Sequence, residues 1–161
     1  MVIRTHSQER WLKIFNEVLY QSYPAAYNLV DRLTFGAWWR LIRRALEHVP
    51  PESRVLEIGF GPGRLHAEPV RHSKLCLGLD LARGMCCFTQ RRLRREGLPD
   101  RLVQGNVYAL PYPASVFDVV VSTFAFSVFP DGRRAMDEMV QVTAKKGSVI
   151  MVDIGLPDDQ N

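Results

Sequence analysis

From Arg54 onward the chain alternates short apolar runs with helix-patterned stretches, and this constrains its fold more than any other feature. The runs are RVLEIG, KLCLGLD, RLVQGN, FDVVVSTF and GSVIMVDI. They are rich in branched residues and nearly continuous in apolar character, as suits parallel strands covered on both faces. Helical patterns fall between them near 62–71, 83–97 and 132–144. Pro69 shortens or kinks the first. The last runs into KKG, where Lys145 and Lys146 suit the negative helix end and Gly147 the left-handed cap. Strand, helix, strand repeated in this way predicts an α/β chain with a doubly wound, mostly parallel sheet of about five strands.

Ahead of this core lie two more helical stretches, about 7–20 and 25–49. Trp11, Leu12, Phe15, Val18 and Leu19 recur at helical spacing, as do Leu29, Leu33, Trp38, Trp39, Leu41 and Ile42, and packing is their simplest use. VPPES, around Pro50 and Pro51, marks a joint between a helical cap (1–50) and the sheet region (51–161) within one globular unit, as 161 residues allow.

No apolar run is long enough to span a membrane, and the N-terminal segment offers no continuous apolar block, so a cytoplasmic protein is expected. Cys76, Cys86 and Cys87 lack metal-ligand spacing and read as reduced, packed thiols, with no metal site. The net charge of +4 is concentrated at Arg91, Arg92, Arg94, Arg95 and Arg101. No aromatic residues interleave them, so a solvated helix face is preferred to a nucleic-acid surface.

VLEIGFGPG places Gly59, Gly61 and Gly63 at the carboxyl end of the first predicted strand, where doubly wound sheets bind ligands. Missing side chains permit a sharp turn and close backbone approach, and Pro62 fixes φ at the start of a helix. A dinucleotide loop wants G-x-G-x-x-G; here the third glycine comes one residue early and Arg64 takes its place. Glu57 at the mouth favours a cation, and no Gly-Lys-Ser/Thr follows for nucleoside triphosphate chemistry. Asp80, ending the next strand, suits the two hydroxyls of a ribose. A ribose and a cation together suggest S-adenosyl-L-methionine, whose adenine amine Asn106 can meet through its side-chain oxygen. Each acid also has a plainer use, Glu57 as a helix cap and Asp80 as a turn former. A nicotinamide-dependent oxidoreductase is the reading disfavoured by the glycine spacing and Glu57.

VLEIGFGPG, LGLDLARGM, VQGNVYALPYPASVFDVVVSTFAF and AMDEMVQVTAKKGSVIMVDIG, preceded by AAYNLVDRLTFGAWWRLIRRAL, resemble in order the motifs of the class I S-adenosylmethionine-dependent methyltransferases. The type that includes the ubiquinone/menaquinone C-methyltransferases is the most similar. The resemblance implies a Rossmann-like fold in which Glu57 and the backbone of the Gly59, Gly61 and Gly63 loop hold the methionine portion. It further implies that Asp80 binds the ribose, Leu81 and Met85 line the adenine, Asn106 and Val107 face its edge, and Thr123 approaches the ammonium. Tyr27 matches a cap tyrosine that closes over the methyl group.

The sequence departs from the family at three points. Asn106 replaces the usual aspartate. TFAFSVFPD lacks both the histidines of many relatives and the Asn-Pro-Pro-aromatic loop of nucleic-acid amino-methylating enzymes. The sequence given stops soon after the fifth strand, which would leave SVIMVDI as an exposed edge and favours a homo-oligomer. The expected activity is methyl transfer to a small or lipophilic acceptor, such as a quinone precursor or phospholipid head group, with peripheral membrane contact. An S-adenosylmethionine-binding protein without transferase activity is the alternative. The reaction is an in-line displacement for which positioning supplies most of the catalysis. For an acceptor that needs a base, Tyr27 and His66 are the candidates. Phe124, Phe126 and Phe129 suit an acceptor pocket and a core equally.

Overall fold

The structure, a computed structural model, describes residues 37–153. In chain order these form α1 (Ala37–Leu46), β1 (Arg54–Ile58), α2 (Ala67–His72), β2 (Leu75–Asp80), α3 (Arg83–Arg95), β3 (Leu102–Gln104), β4 (Phe117–Thr123), a single 3-10 turn (Phe126–Val128), α4 (Gly132–Val142) and β5 (Thr143–Val152). The strands build one five-stranded sheet in the order β3-β2-β1-β4-β5. Every pairing is parallel. The doubly wound α/β architecture is therefore present, and each expected apolar run supplies a strand. The helical stretch 7–20, the first part of 25–49 (25–36) and the cap tyrosine Tyr27 lie outside the described residues.

Alternation along the strands sends neighbouring residues to opposite faces. Leu56 and Ile58 of β1 face one core with Leu79, Phe117, Val120 and the α4 residues Ala135, Met139 and Val142. Val55 faces the other with Cys76, Val119 and Val121, covered by Ala45 of α1 and by Leu65. The chain steps outward from β1 through β2 to β3, then returns across to β4. Strand order reverses beside β1, and the carboxyl ends of β1 and β4 frame the crevice that such a reversal opens.

Two local expectations are corrected. Pro62 does not start a helix: Gly63 follows it with φ +69°, and α2 begins at Ala67, with Pro69 in its first turn, where a missing N–H costs nothing. Gly147 is no left-handed cap. α4 ends at Val142, and Lys145, Lys146 and Gly147 enter β5. There Phe117 pairs with Thr143 but Val119 pairs with Ser148, so β5 bulges. A Cβ on Gly147 would stand 2.7 Å from the Asp118 carbonyl oxygen, and it is this close strand approach that requires glycine.

Among the described residues the three cysteines are unpaired. Cys76 is buried as expected, but Cys87 is exposed on α3. Arg92 and Arg94 of that helix pair with Glu96 and Asp100 on the surface. No helix among the described residues is long and apolar enough to cross a membrane.

Candidate functional site

β1 delivers the chain into a loop whose three glycines all have positive φ: +70° at Gly59, +50° at Gly61 and +69° at Gly63. Two of them are also pressed by neighbours. A Cβ at Gly59 would lie 2.5 Å from the Ala125 Cβ, and one at Gly63 would lie 2.2 Å from the Thr89 Cγ2. Gly61 has open space at that point, with no atom of the described residues within 4 Å. Its backbone is held instead: its N–H donates to Asp80 Oδ2 at 2.8 Å and its carbonyl accepts from the Thr89 hydroxyl at 2.8 Å. The loop is thus fixed from α3, from β2 and from the segment after β4, and leaves a backbone surface that a ligand can approach.

Asp80 ends β2 with 8% of its surface exposed. Its other oxygen accepts from the Ala82 N–H at 2.8 Å. Burial raises its carboxyl above the ordinary aspartate value, the N–H groups of Ala82 and Gly61 oppose that rise, and the charge of Glu57 adds to it. Each carboxylate oxygen accepts more than one hydrogen bond, so both can still receive a hydroxyl donor.

Glu57, next but one before Gly59, is buried at 1% exposure. Its Oε2 lies 2.9 Å from His66 Nδ1. His66, a candidate base at an acceptor, is instead wholly buried beneath the loop, where its ring meets Glu57 and has no surface to offer a substrate. Gly78 makes the room for it in β2: a Cβ there would stand 2.9 Å from His66 Cε1.

The two residues expected along an adenine part company. Leu81 is 68% exposed, while Met85 is fully buried against Phe60 and Ala82 and supports the loop from below. Val107 is likewise in the core, beside Leu79 and Phe117. Asn106 is exposed, and its side-chain oxygen accepts the Tyr108 N–H at 3.0 Å, closing a turn on its own backbone. Thr123 is half-buried at the end of β4, paired with Val152.

Phe124 follows with φ +53°, an outlier for an aromatic residue. Its N–H donates to the Val152 carbonyl at 2.7 Å. That twist brings Ala125 against Gly59. Phe126 and Phe129 stack edge to face at 5.7 Å and pack on the α4 core. Thr89 and Ala125 escaped the sequence reading. The one available signal was a threonine on the buried stripe Met85, Thr89, Leu93.

Residues 56–151 match the model of a family described as Methyltransferase domain. The demethylmenaquinone methyltransferase of Thermus thermophilus is 32% identical over 138 residues, 81% of this chain and 62% of that protein. The phosphatidylethanolamine N-methyltransferase of Cereibacter sphaeroides is 33% identical over 114 residues, 69% of this chain and 56% of that one. The crystal structure of YcgJ from Bacillus subtilis aligns at a TM-score of 0.68 with 28% identity, covering 76% of this chain and 52% of YcgJ. The chain spans between half and two thirds of the length of each of these relatives.

Proposed function

The chain belongs to the methyltransferase-domain family, and we propose that it binds S-adenosyl-L-methionine in the β1–β4 crevice and transfers its methyl group to a small or lipophilic acceptor. The observation that carries the reading is the Asp80 carboxylate, bonded to Gly61 and Ala82 and still partly open at the mouth of a positive-φ glycine loop. An acid with acceptor capacity to spare fits a ribose diol. The bare backbone at Gly61 fits a ligand that must come close, and the exposed Leu81 offers an apolar flank for a flat base. Glu57 contributes negative charge from beneath.

When bound, S-adenosylmethionine supplies a methyl group already activated on a sulfonium. The protein's part is to bind and orient: Asp80 takes the sugar, the Gly59–Gly63 backbone takes the amino-acid end, and Asn106 borders the base. Well-oriented reactants lower a barrier by up to about 7–11 kcal/mol, so no residue need act as a dedicated base. Two relatives bear the names of a quinone-precursor and a phospholipid methyltransferase, which supports a lipophilic acceptor.

The test is calorimetric titration of the 161-residue chain with S-adenosylhomocysteine, beside Asp80→Ala. Binding is expected for the parent chain and a loss of roughly tenfold or more for the variant, the scale of a lost hydrogen bond to a charged group. A folded parent chain that does not bind defeats the reading. Methyl transfer from labelled donor to extracted membrane lipids then identifies the acceptor class.

A further inference from the structure

A polar pair with almost no exposed surface lies under the glycine loop. Glu57 comes from β1 and His66 from the turn before α2, with Oε2 and Nδ1 2.9 Å apart and side-chain exposures of 1% and 0%. The second ring nitrogen, Nε2, is buried and has no hydrogen-bond partner among the described residues. That asymmetry selects a tautomer. With the proton on Nδ1, the ring donates to the carboxylate and leaves only a lone pair unmet. With the proton on Nε2, a buried N–H is orphaned and the Nδ1 lone pair faces a carboxylate oxygen, and an imidazolium would orphan the same buried N–H.

The surroundings are arranged around this ring. A Cβ on Gly78 would lie 2.9 Å from His66 Cε1 and 2.7 Å from the Phe60 ring, so β2 carries a glycine where the imidazole passes. Cys76 of β2 also meets the ring, its sulfur 3.9 Å from Nδ1. Burial and the charge of Glu57 push its thiol up, so it stays protonated.

We infer that His66 is a positioning residue of the cofactor site: as the neutral Nδ1–H tautomer it holds the Glu57 carboxylate in place and leaves its negative charge uncancelled beneath the crevice. A ligand with a cationic end therefore meets a net negative floor. This inference rests on the reading of the crevice as an S-adenosylmethionine site.

The first measurement is the tautomer, read by nitrogen-15 NMR of the histidine-labelled full chain. A pyrrole-type Nδ1 with a pyridine-type Nε2 is expected for His66, and either the opposite assignment or a doubly protonated ring overturns the inference. The second is calorimetry with S-adenosylhomocysteine on His66→Asn, whose amide nitrogen can replace Nδ1, and on His66→Leu, which has no donor. Asparagine should keep affinity within about threefold, while leucine, in a sample shown folded by its melting transition, should weaken it by roughly tenfold or more. Parent-like binding by leucine overturns the inference. Should leucine not fold, a roughly tenfold loss in His66→Asn overturns it, and retained affinity with the expected tautomer upholds it. A parent chain with no affinity defeats the cofactor reading itself, and the positioning role falls with it; that result is distinct from a wrong tautomer or indifferent variants.

Discussion

Gly61 and Gly63 share a backbone region for different reasons, and alanine separates them. At Gly61 a Cβ meets no atom of the described residues, so Gly61→Ala carries the left-handed strain of about 1–2 kcal/mol. At Gly63 the same strain is joined by a collision with Thr89, 2.2 Å away, and overpacking adds about 1–3 kcal/mol. Urea denaturation of the two variants should show Gly63→Ala to be the more destabilised; equal losses would mean that Thr89 yields freely. Asp80 gives a second prediction. Its folded-state value is raised by burial, so it takes up a proton at a pH above the ordinary 3.8. Affinity for S-adenosylhomocysteine should thus decline on acidification before an exposed aspartate would titrate, and Asp80→Asn should flatten the profile. A parent profile that stays level until the chain unfolds would sink the assignment. The glycines, Glu57 and Asp80 were legible in the sequence because the chemistry of a strand-end loop is local. The Glu57–His66 pair was not, because the two lie on opposite sides of that loop and only the fold brings them to 2.9 Å.

Between elements, α1 is tied to the glycine loop by the Arg64 guanidinium, which lies 4.5 Å from the centre of the Trp39 ring. Such a contact is worth about 0.5–1 kcal/mol where solvent reaches it. Arg64→Ala should accelerate hydrogen exchange across α1 (Ala37–Leu46) more than across α4, and unchanged α1 exchange would show the contact to be incidental. Strand and helix identities followed from hydrophobic period, but boundaries depended on contacts made far along the chain. Lys145, Lys146 and Gly147 have the composition of a helix end. The helix nevertheless stops at Val142, where the Thr143 hydroxyl bonds back to the Met139 carbonyl at 2.7 Å and the backbone turns extended. What decides Gly147 is the Asp118 carbonyl on the neighbouring strand, a pairing that no window of local sequence contains.

The amino end of the sheet is clasped by Arg54 and Asp118, which share three hydrogen bonds between β1 and β4. The Arg54 side chain and N–H hold the Asp118 carboxyl down at about 2, below its ordinary 3.8. Because the folded value is the lower one, the stabilisation is full above 3.8 and is lost as pH falls through that window toward about 2. Both side chains are more than a third exposed, so solvent screens the effect. An acid titration followed by circular dichroism should show Asp118→Asn losing less stability over that window than the parent chain; parallel acid limbs would count against the clasp. The same pairing of β1 with β4 governs how the protein is born. A nascent chain has already displayed Glu57, the glycines, Asp80 and Asn106 before β4 leaves the ribosome. Yet Gly59 leans on Ala125, and Val55 aligns with Val119. Most residues of the proposed site therefore precede the crevice they would serve, and S-adenosylmethionine bound there would reward only the docked state, acting as a late clamp on folding instead of an early template.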